Sequence, residues 1–179
     1  PRPGACRKCL PGSYTISPLS GVSLTTPACV TCPPGLICGG DWKVSPLLDG
    51  SNWTIERNVY LLNSCPKGHK IVAGTTTNGD LDVTTQKCEP CGVGEECTDT
   101  RCTECSLCRP GTYKDTKDPR PCTPCPANTY RETPGALDIK DCQSCMDRST
   151  TGKLGGQTAP EACICDGDRY LVVSADTVR

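Results

Sequence analysis

Any chemistry in this chain falls first to cysteine. Eighteen of the 179 residues are Cys, and most recur as Cys-x-x-Cys pairs at 6/9, 29/32, 88/91, 102/105, 105/108, 122/125 and 142/145. Such pairs serve thiol–disulfide exchange, metal binding or structural disulfides. Thioredoxin-like exchange needs one exposed pair at a helix N-terminus within an α/β domain; here there are many pairs and no helical periodicity. Cys122/Cys125 and Cys142/Cys145 fall within zinc-ribbon spacing. Yet the pairs share members in an unbroken tandem, and the single histidine, His69, argues against mixed Cys/His sites. The run Cys102, Cys105, Cys108 starts like an iron–sulfur motif, but Thr112 stands where the next ligand is needed. A disulfide framework is the reading left, with no metal and no cofactor expected.

The other candidates are weaker. Asn78, Asp80, Asp82 and Glu89 occupy positions 1, 3, 5 and 12 of an EF-hand-like frame, but Val83 replaces the required Gly and Cys88 intrudes. An Asn-Gly-Asp hairpin turn explains the same residues more simply. His69 reads as an exposed turn residue with no nucleophile beside it. No Gly-x-Ser-x-Gly, phosphate loop or nucleotide fingerprint occurs. No catalytic residue is expected, and the chain does not read as an enzyme.

Composition explains why the cysteines are needed. Leu, Ile and Val total 29 residues and Phe is absent, too few for one packed core in a chain of this length. Gly (18) and Pro (17) are abundant, and the net charge of −1 does not fit a disordered chain. Disulfides in place of a core imply an oxidising compartment, so the chain is expected to be extracellular. Nineteen basic against 20 acidic residues give no case for nucleic acid or an anionic membrane. No run approaches the roughly 18 apolar residues of a membrane span. The start at Pro1, without Met or leader, reads as a processed or excerpted chain. Glycans are expected at the sequon Asn52-Trp53-Thr54, and Thr26, Thr123 and Thr133, each before Pro, fit O-linked sugar.

The cysteines must be positioned by turns. CLPGSY begins at Cys9, CPPGLI at Cys32, CPKGHK at Cys65, CRPGTY at Cys108 and CPANTY at Cys125. Pro fixes φ and Gly supplies a positive φ, so the phrase builds a tight turn just after the cysteine. The following Tyr (Tyr14, Tyr113, Tyr130) is a β-former that covers a disulfide while its hydroxyl stays in water. Each unit is then a short β-ladder clipped by a disulfide, and units stacked end to end make a rod.

These tandem turns closed by Cys-x-x-Cys resemble the ephrin-receptor-like and tumour-necrosis-factor-receptor-like cysteine-rich repeats of the growth-factor-receptor cysteine-rich group. Such repeats are abundant in large protist and algal surface proteins. The resemblance covers about 6–38 and 65–165 and is strongest over 102–145. CPANTY departs from it in lacking the Gly, and Cys145-Met146-Asp147 in lacking the turn altogether. The resemblance implies that the cysteine opening a turn pairs with the first cysteine of the next pair: Cys9–Cys29, Cys65–Cys88, Cys108–Cys122, Cys125–Cys142 and Cys145–Cys163. Each such loop is worth about 3 kcal/mol in the chain-entropy account. Cys91, Cys97, Cys102 and Cys105 stay open, with 91–102 and 97–105 among three connectivities. Cys32 and Cys38 fit a local pair. Cys6 and Cys165 sit at the edges, as in an excerpt of a longer array.

The stretch from Gly39 to Ser64 has no cysteine and holds both tryptophans. It reads either as a local mini-core or as a contact surface, for which Trp42, Trp53, Leu61 and Leu62 are the candidates. Asn58–Ser64 aligns with Asp168–Ser174, and both read as strands leading into another module. The expected organisation is 1–38 cysteine-rich repeats, 39–64 an apolar insertion with short strands, 65–101 and 102–165 further cysteine-rich repeats, and 166–179 a strand toward a following module. The expected fold is small and disulfide-rich: elongated tandem repeats of short β-hairpins and turns with little helix. The expected function is structural, in a cell-surface, matrix or filament assembly built on protein–protein contacts, including self-assembly. A ligand-binding receptor ectodomain is the alternative.

Overall fold

A computed structural model describes residues 8–15, 29–165 and 167. Cys6, Thr26 and the segment aligned at 168–174 lie outside them. The chain forms two units. Unit 1 runs to Pro90 and includes Cys97–Cys105; unit 2 takes Cys91–Glu96 and the residues from Ser106 onward. Strands are short and all named pairs are antiparallel. The helical content of the described residues is two 3-10 turns, Ile139–Asp141 and Pro160–Ala162. The structure is therefore the disulfide-rich, hairpin-built and nearly helix-free fold expected.

Unit 1 is four hairpin-like pairs. β1 (Ser13–Tyr14) pairs with β2 (Val30–Thr31), and β3 (Leu36–Cys38) with β4 (Val44–Pro46). β5 (Asn52–Glu56) pairs with β6 (Val59–Ser64), and β7 (His69–Thr75) with β8 (Leu81–Pro90). Arg57 and Asn58 close the β5–β6 hairpin with φ of 47° and 68°, the paired left-handed conformation that suits strand twist. Apolar side chains are scarce, so one polar residue ties the two long hairpins together. Gln86 on β8 is 2% exposed. Its Oε1 accepts from the Leu62 N–H at 2.9 Å, and its Nε2 donates to the Tyr60 and Val83 carbonyls at 3.0 and 2.9 Å. The carboxamide thus satisfies the backbone of β6 as a peptide group would, and neither of its own polar atoms is left without a partner.

Tyr14 corrects an expectation. Its hydroxyl is not in water: the side chain is 1% exposed and the oxygen accepts the Tyr60 N–H at 3.1 Å. The two tyrosine rings meet edge to face at 5.1 Å, a geometry their quadrupoles favour. The reason is the 39–64 segment, whose hairpin supplies both the ring and the N–H. Burial raises the pKa of Tyr14, opposed by that backbone hydrogen bond.

Unit 2 is built by one repeated device. β9 (Glu95–Glu96) pairs with β10 (Ser106–Leu107), β11 (Thr112–Tyr113) with β12 (Thr123–Pro124), β13 (Thr129–Tyr130) with β14 (Gln143–Ser144), and β15 (Ser149–Thr150) with β16 (Ile164–Cys165). Each turn after an opening cysteine places its fourth residue at positive φ: Gly94 (69°), Gly111 (78°), Asn128 (66°) and Arg148 (62°). At Gly111 space matters as well, since a Cβ there would lie 2.3 Å from the Gly156 carbonyl oxygen. The Cys145 phrase, expected to lack the turn, does make it. The Ser149 N–H and hydroxyl both donate to the Met146 carbonyl, at 3.0 and 2.7 Å. With the Cys145–Cys163 disulfide, these bonds hold Arg148 where Gly stands in its sister turns.

The core of this unit is sulfur. Its buried apolar side chains, among the described residues, are Cys91, Cys108, Cys125, Cys142 and Ala136. Beside them lies Lys114, 3% exposed, whose ammonium donates to the carbonyls of Cys91 (3.4 Å), Glu95 (3.1 Å) and Asp118 (2.6 Å). Burial lowers its pKa, while the nearby carboxylates of Asp118 and Glu96 oppose that shift. The Asp118 carboxylate accepts from Arg120 Nε at 2.6 Å, the Arg120 N–H at 2.9 Å and the Thr116 hydroxyl at 2.9 Å. Chiefly through Arg120, its pKa is lowered to about 2.

Two outcomes are expected. In denaturant unfolding with disulfides intact, Arg148→Gly stabilises by about 0.5–1 kcal/mol, since it relieves a left-handed non-glycine residue. Asn128→Gly destabilises instead, because Asn128 Oδ1 accepts from the Thr150 hydroxyl and the Thr151 N–H. Equal gains from both substitutions would contradict this assignment. For Asp118 the folded pKa lies below the ordinary carboxylate value, so its stabilising contribution is complete above about pH 4. It is lost as pH falls toward about 2. A carboxyl titration by NMR placing Asp118 in the ordinary range would refute the Arg120 pairing.

Candidate interaction surface

The cysteine side chains are committed to structure. The disulfides include Cys9–Cys29, Cys65–Cys88, Cys108–Cys122, Cys125–Cys142 and Cys145–Cys163, each joining a turn-opening cysteine to the first cysteine of a following pair. Cys32–Cys38 is a local bridge. Cys97 pairs with Cys102, so neither 91–102 nor 97–105 forms. The Asp99 carboxylate there accepts the Thr100 and Arg101 N–H groups and turns the chain back within five residues. Cys91 and Cys105 are disulfide-bonded too, and Cys165 is the free thiol among the described residues.

The calcium candidates are strung along one hairpin. Gly79 turns it at φ 85°, with the Thr76 N–H donating to the Asp80 carbonyl. Asp82 Oδ1 is taken by the Thr84 N–H and hydroxyl, at 2.9 and 2.6 Å, and Glu89 lies opposite Lys70. Among the described residues no three His, Cys, Asp or Glu side chains are grouped to hold a metal ion. His69 is not the exposed turn residue expected. It begins β7, is 8% exposed, and its N–H closes the Pro66–His69 turn at 3.2 Å.

What the fold offers is surface, supported by a periodic backbone. Within unit 2 the opening cysteine N–H donates to the turn carbonyl of the preceding repeat: Cys108 to Gly94 (2.8 Å), Cys125 to Gly111 (2.8 Å), Cys145 to Asn128 (2.9 Å). The turn glycines reach forward in the same manner, Gly94 to the Lys114 carbonyl and Gly111 to that of Arg131, both at 2.8 Å. Parallel bridges Tyr113–Ala136 and Tyr130–Gln157 repeat the register. A side-chain element of this device escaped the sequence reading. Ser13, Thr112, Thr129 and Ser149 each donate their hydroxyl to the carbonyl three residues back, at 2.6–2.7 Å. The signal was present as the Ser or Thr following the turn's left-handed position.

Exposed apolar side chains on unit 2 include Leu107, Leu137, Met146, Leu154 and Ile164. An open groove of 720 Å³ is lined by Arg109, Thr112, Pro124, Glu132, Gly156 and Thr158, among others. On unit 1 the expected contact residues separate. Trp42 is 49% exposed, with Lys43 Nζ 5.6 Å from its ring centre, a cation–π arrangement. The adjoining Asp41 has its pKa lowered, first by the Lys43 N–H and also by Lys8, which pairs with it at 3.3 Å. Trp53 is half-buried against Gly35: a Cβ on that glycine would lie 2.6 Å from Trp53 Cζ2. Leu62 is buried and Leu61 half-buried. Within this group Trp42 reaches furthest into solvent, and Leu62 serves the core.

No helix among the described residues is long and apolar enough to cross a membrane. Comparison with curated proteins finds no match to the chain. The family described as tyrosine-protein kinase ephrin type A/B receptor-like matches residues 96–142. That stretch contains the Cys108–Cys122 and Cys125–Cys142 loops and the periodic bonds between them. Residues 96–142 are thus similar to a cysteine-rich, receptor-like repeat of the ephrin-receptor kind, and that similarity together with the many disulfides points to protein partners and an oxidising, extracellular setting.

Proposed function

We propose that the chain is a disulfide-stapled structural rod that contributes to a cell-surface, matrix or filament assembly through protein–protein contacts. The observation that carries this reading is the inter-repeat ladder. The opening-cysteine bond recurs from turn to turn in unit 2 with nearly one length, 2.8–2.9 Å. A repeat that satisfies its neighbour's backbone in a fixed register propagates along one direction and needs no enclosing core. The expected organisation (repeats at 1–38, 65–101 and 102–165, an apolar insertion at 39–64, and 166–179 leading onward) supplies the length. The exposed Trp42, with Trp53 and Leu61 beside it in the insertion's sequence, supplies a contact.

The receptor-like match at 96–142 favours a second reading, a ligand-binding fragment of a receptor ectodomain. Electron microscopy and sedimentation of the full oxidised chain separate the two. The rod reading expects elongated particles that associate with increasing concentration, the association weakened by Trp42→Ser. Compact particles that stay monomeric at every concentration would overturn it.

A further inference from the structure

We propose that Asn52 carries an N-linked glycan whose first sugars lie in a polar cleft of unit 1. The sequon sits on β5, where strand alternation separates its residues. Trp53 turns inward onto Gly35, while Asn52 and Thr54 are both exposed. The pairing slips at this point: Asn52 stands opposite Ser64 but Trp53 opposite Leu62, leaving Asn63 as the extra residue of a bulge. The Asn63 carboxamide thereby reaches both outward residues of the sequon. Its Nδ2 donates to Asn52 Oδ1 at 3.3 Å and to Thr54 Oγ1 at 3.0 Å.

That arrangement engages the Asn52 carboxamide through its oxygen and leaves its nitrogen free. Among the described residues Asn52 Nδ2 donates no hydrogen bond, so a substituent on that atom displaces no native contact. Asn52 also lines a cleft of 580 Å³ with Leu62, Asn63, Ser64, Thr100 and Arg101. Apart from Leu62, those side chains carry the hydroxyl, amide and guanidinium groups that pair with sugar hydroxyl and acetamido groups. The far wall has its backbone tied down. The Cys97–Cys102 disulfide and the bond from the Cys65 N–H to the Thr100 carbonyl, at 2.8 Å, anchor Thr100 and Arg101. A linkage beside a preformed polar wall lowers the ordering cost of the proximal sugars.

The modification is a glycosyl transfer. Asn52 Nδ2 attacks the anomeric carbon of an oligosaccharide carried on a lipid diphosphate. The C–N bond forms as the C–O bond to the diphosphate breaks, and the amide proton leaves to base. The donor belongs to the secretory machinery and acts on the extended, unfolded sequon.

The test is secretion of the full chain from a eukaryotic host, followed by treatment with peptide N-glycosidase. A mass loss with conversion of Asn52 to Asp is expected. It should be abolished in Asn52→Gln and Thr54→Ala and kept in Thr54→Ser, whose retained hydroxyl controls for loss of secretion. An unmodified Asn52 in secreted protein would overturn the proposal. The cleft is read separately, by the rate of glycan release from native protein. Release slower than from denatured protein, and faster in Arg101→Ala than in the parent, is expected. Equal rates in all three would overturn the seating while leaving the modification in place.

Discussion

Everything in this fold depends on the turn that follows an opening cysteine. Four residues bend the chain, the fourth takes a left-handed conformation at Gly12, Gly68, Gly94, Gly111, Asn128 and Arg148, and the opening cysteine is held by a disulfide. The Cys32 turn departs, with Gly35 outside the left-handed region and a local bridge to Cys38. A chain with 29 Leu, Ile and Val residues and no Phe cannot hold such turns by apolar burial alone. Among the described residues of unit 2 the buried apolar groups are four half-cystines and one alanine. The disulfide constrains the unfolded chain; the turn fixes where the next repeat's N–H groups find carbonyls. Neither would suffice without the other, because an unclipped two-residue strand pair is not stable in water.

Polar side chains complete what sulfur begins. Gln86 in unit 1 and Lys114 in unit 2 are both almost wholly buried, and each is satisfied by backbone from segments distant in sequence. Glu96, 7% exposed, accepts the Cys122 N–H at 3.0 Å beside the Cys108–Cys122 disulfide. Among the described residues no buried side-chain N or O lacks a partner. Such groups hold register, since an apolar replacement would strand the backbone groups they serve.

The legible part of the sequence was the part repeated at fixed phase. Turn phrases with Gly at the fourth position announced the fold class and most of the local geometry, but the positive φ expected in CPPGLI is not taken by Gly35, which packs against Trp53 instead. Asn128 was visible as a departure, and its carboxamide compensates by binding the Thr150 hydroxyl and Thr151 N–H. Arg148 was not legible, because nothing in Cys-Met-Asp-Arg marks a left-handed residue; the flanking disulfide and Ser149 impose it. Tyr14 and His69 were misjudged for one reason. Both stand in turn phrases that look exposed in isolation, but Tyr14 is met by Tyr60 of the β5–β6 hairpin, and His69 itself begins β7, paired opposite Pro90 of β8. Burial set by a neighbouring hairpin leaves no local mark, and neither does the choice among Cys91, Cys97, Cys102 and Cys105, which Asp99 and its tight loop decide.

The central claim is that turn-anchored disulfides stand in for a core, and disulfide mapping tests it most directly. Non-reducing proteolysis and mass spectrometry of the secreted chain should recover peptides joined as Cys9–Cys29, Cys32–Cys38, Cys65–Cys88, Cys97–Cys102, Cys108–Cys122, Cys125–Cys142 and Cys145–Cys163. Bridges within the Cys-x-x-Cys pairs, or reduced cysteines holding metal, would contradict the account.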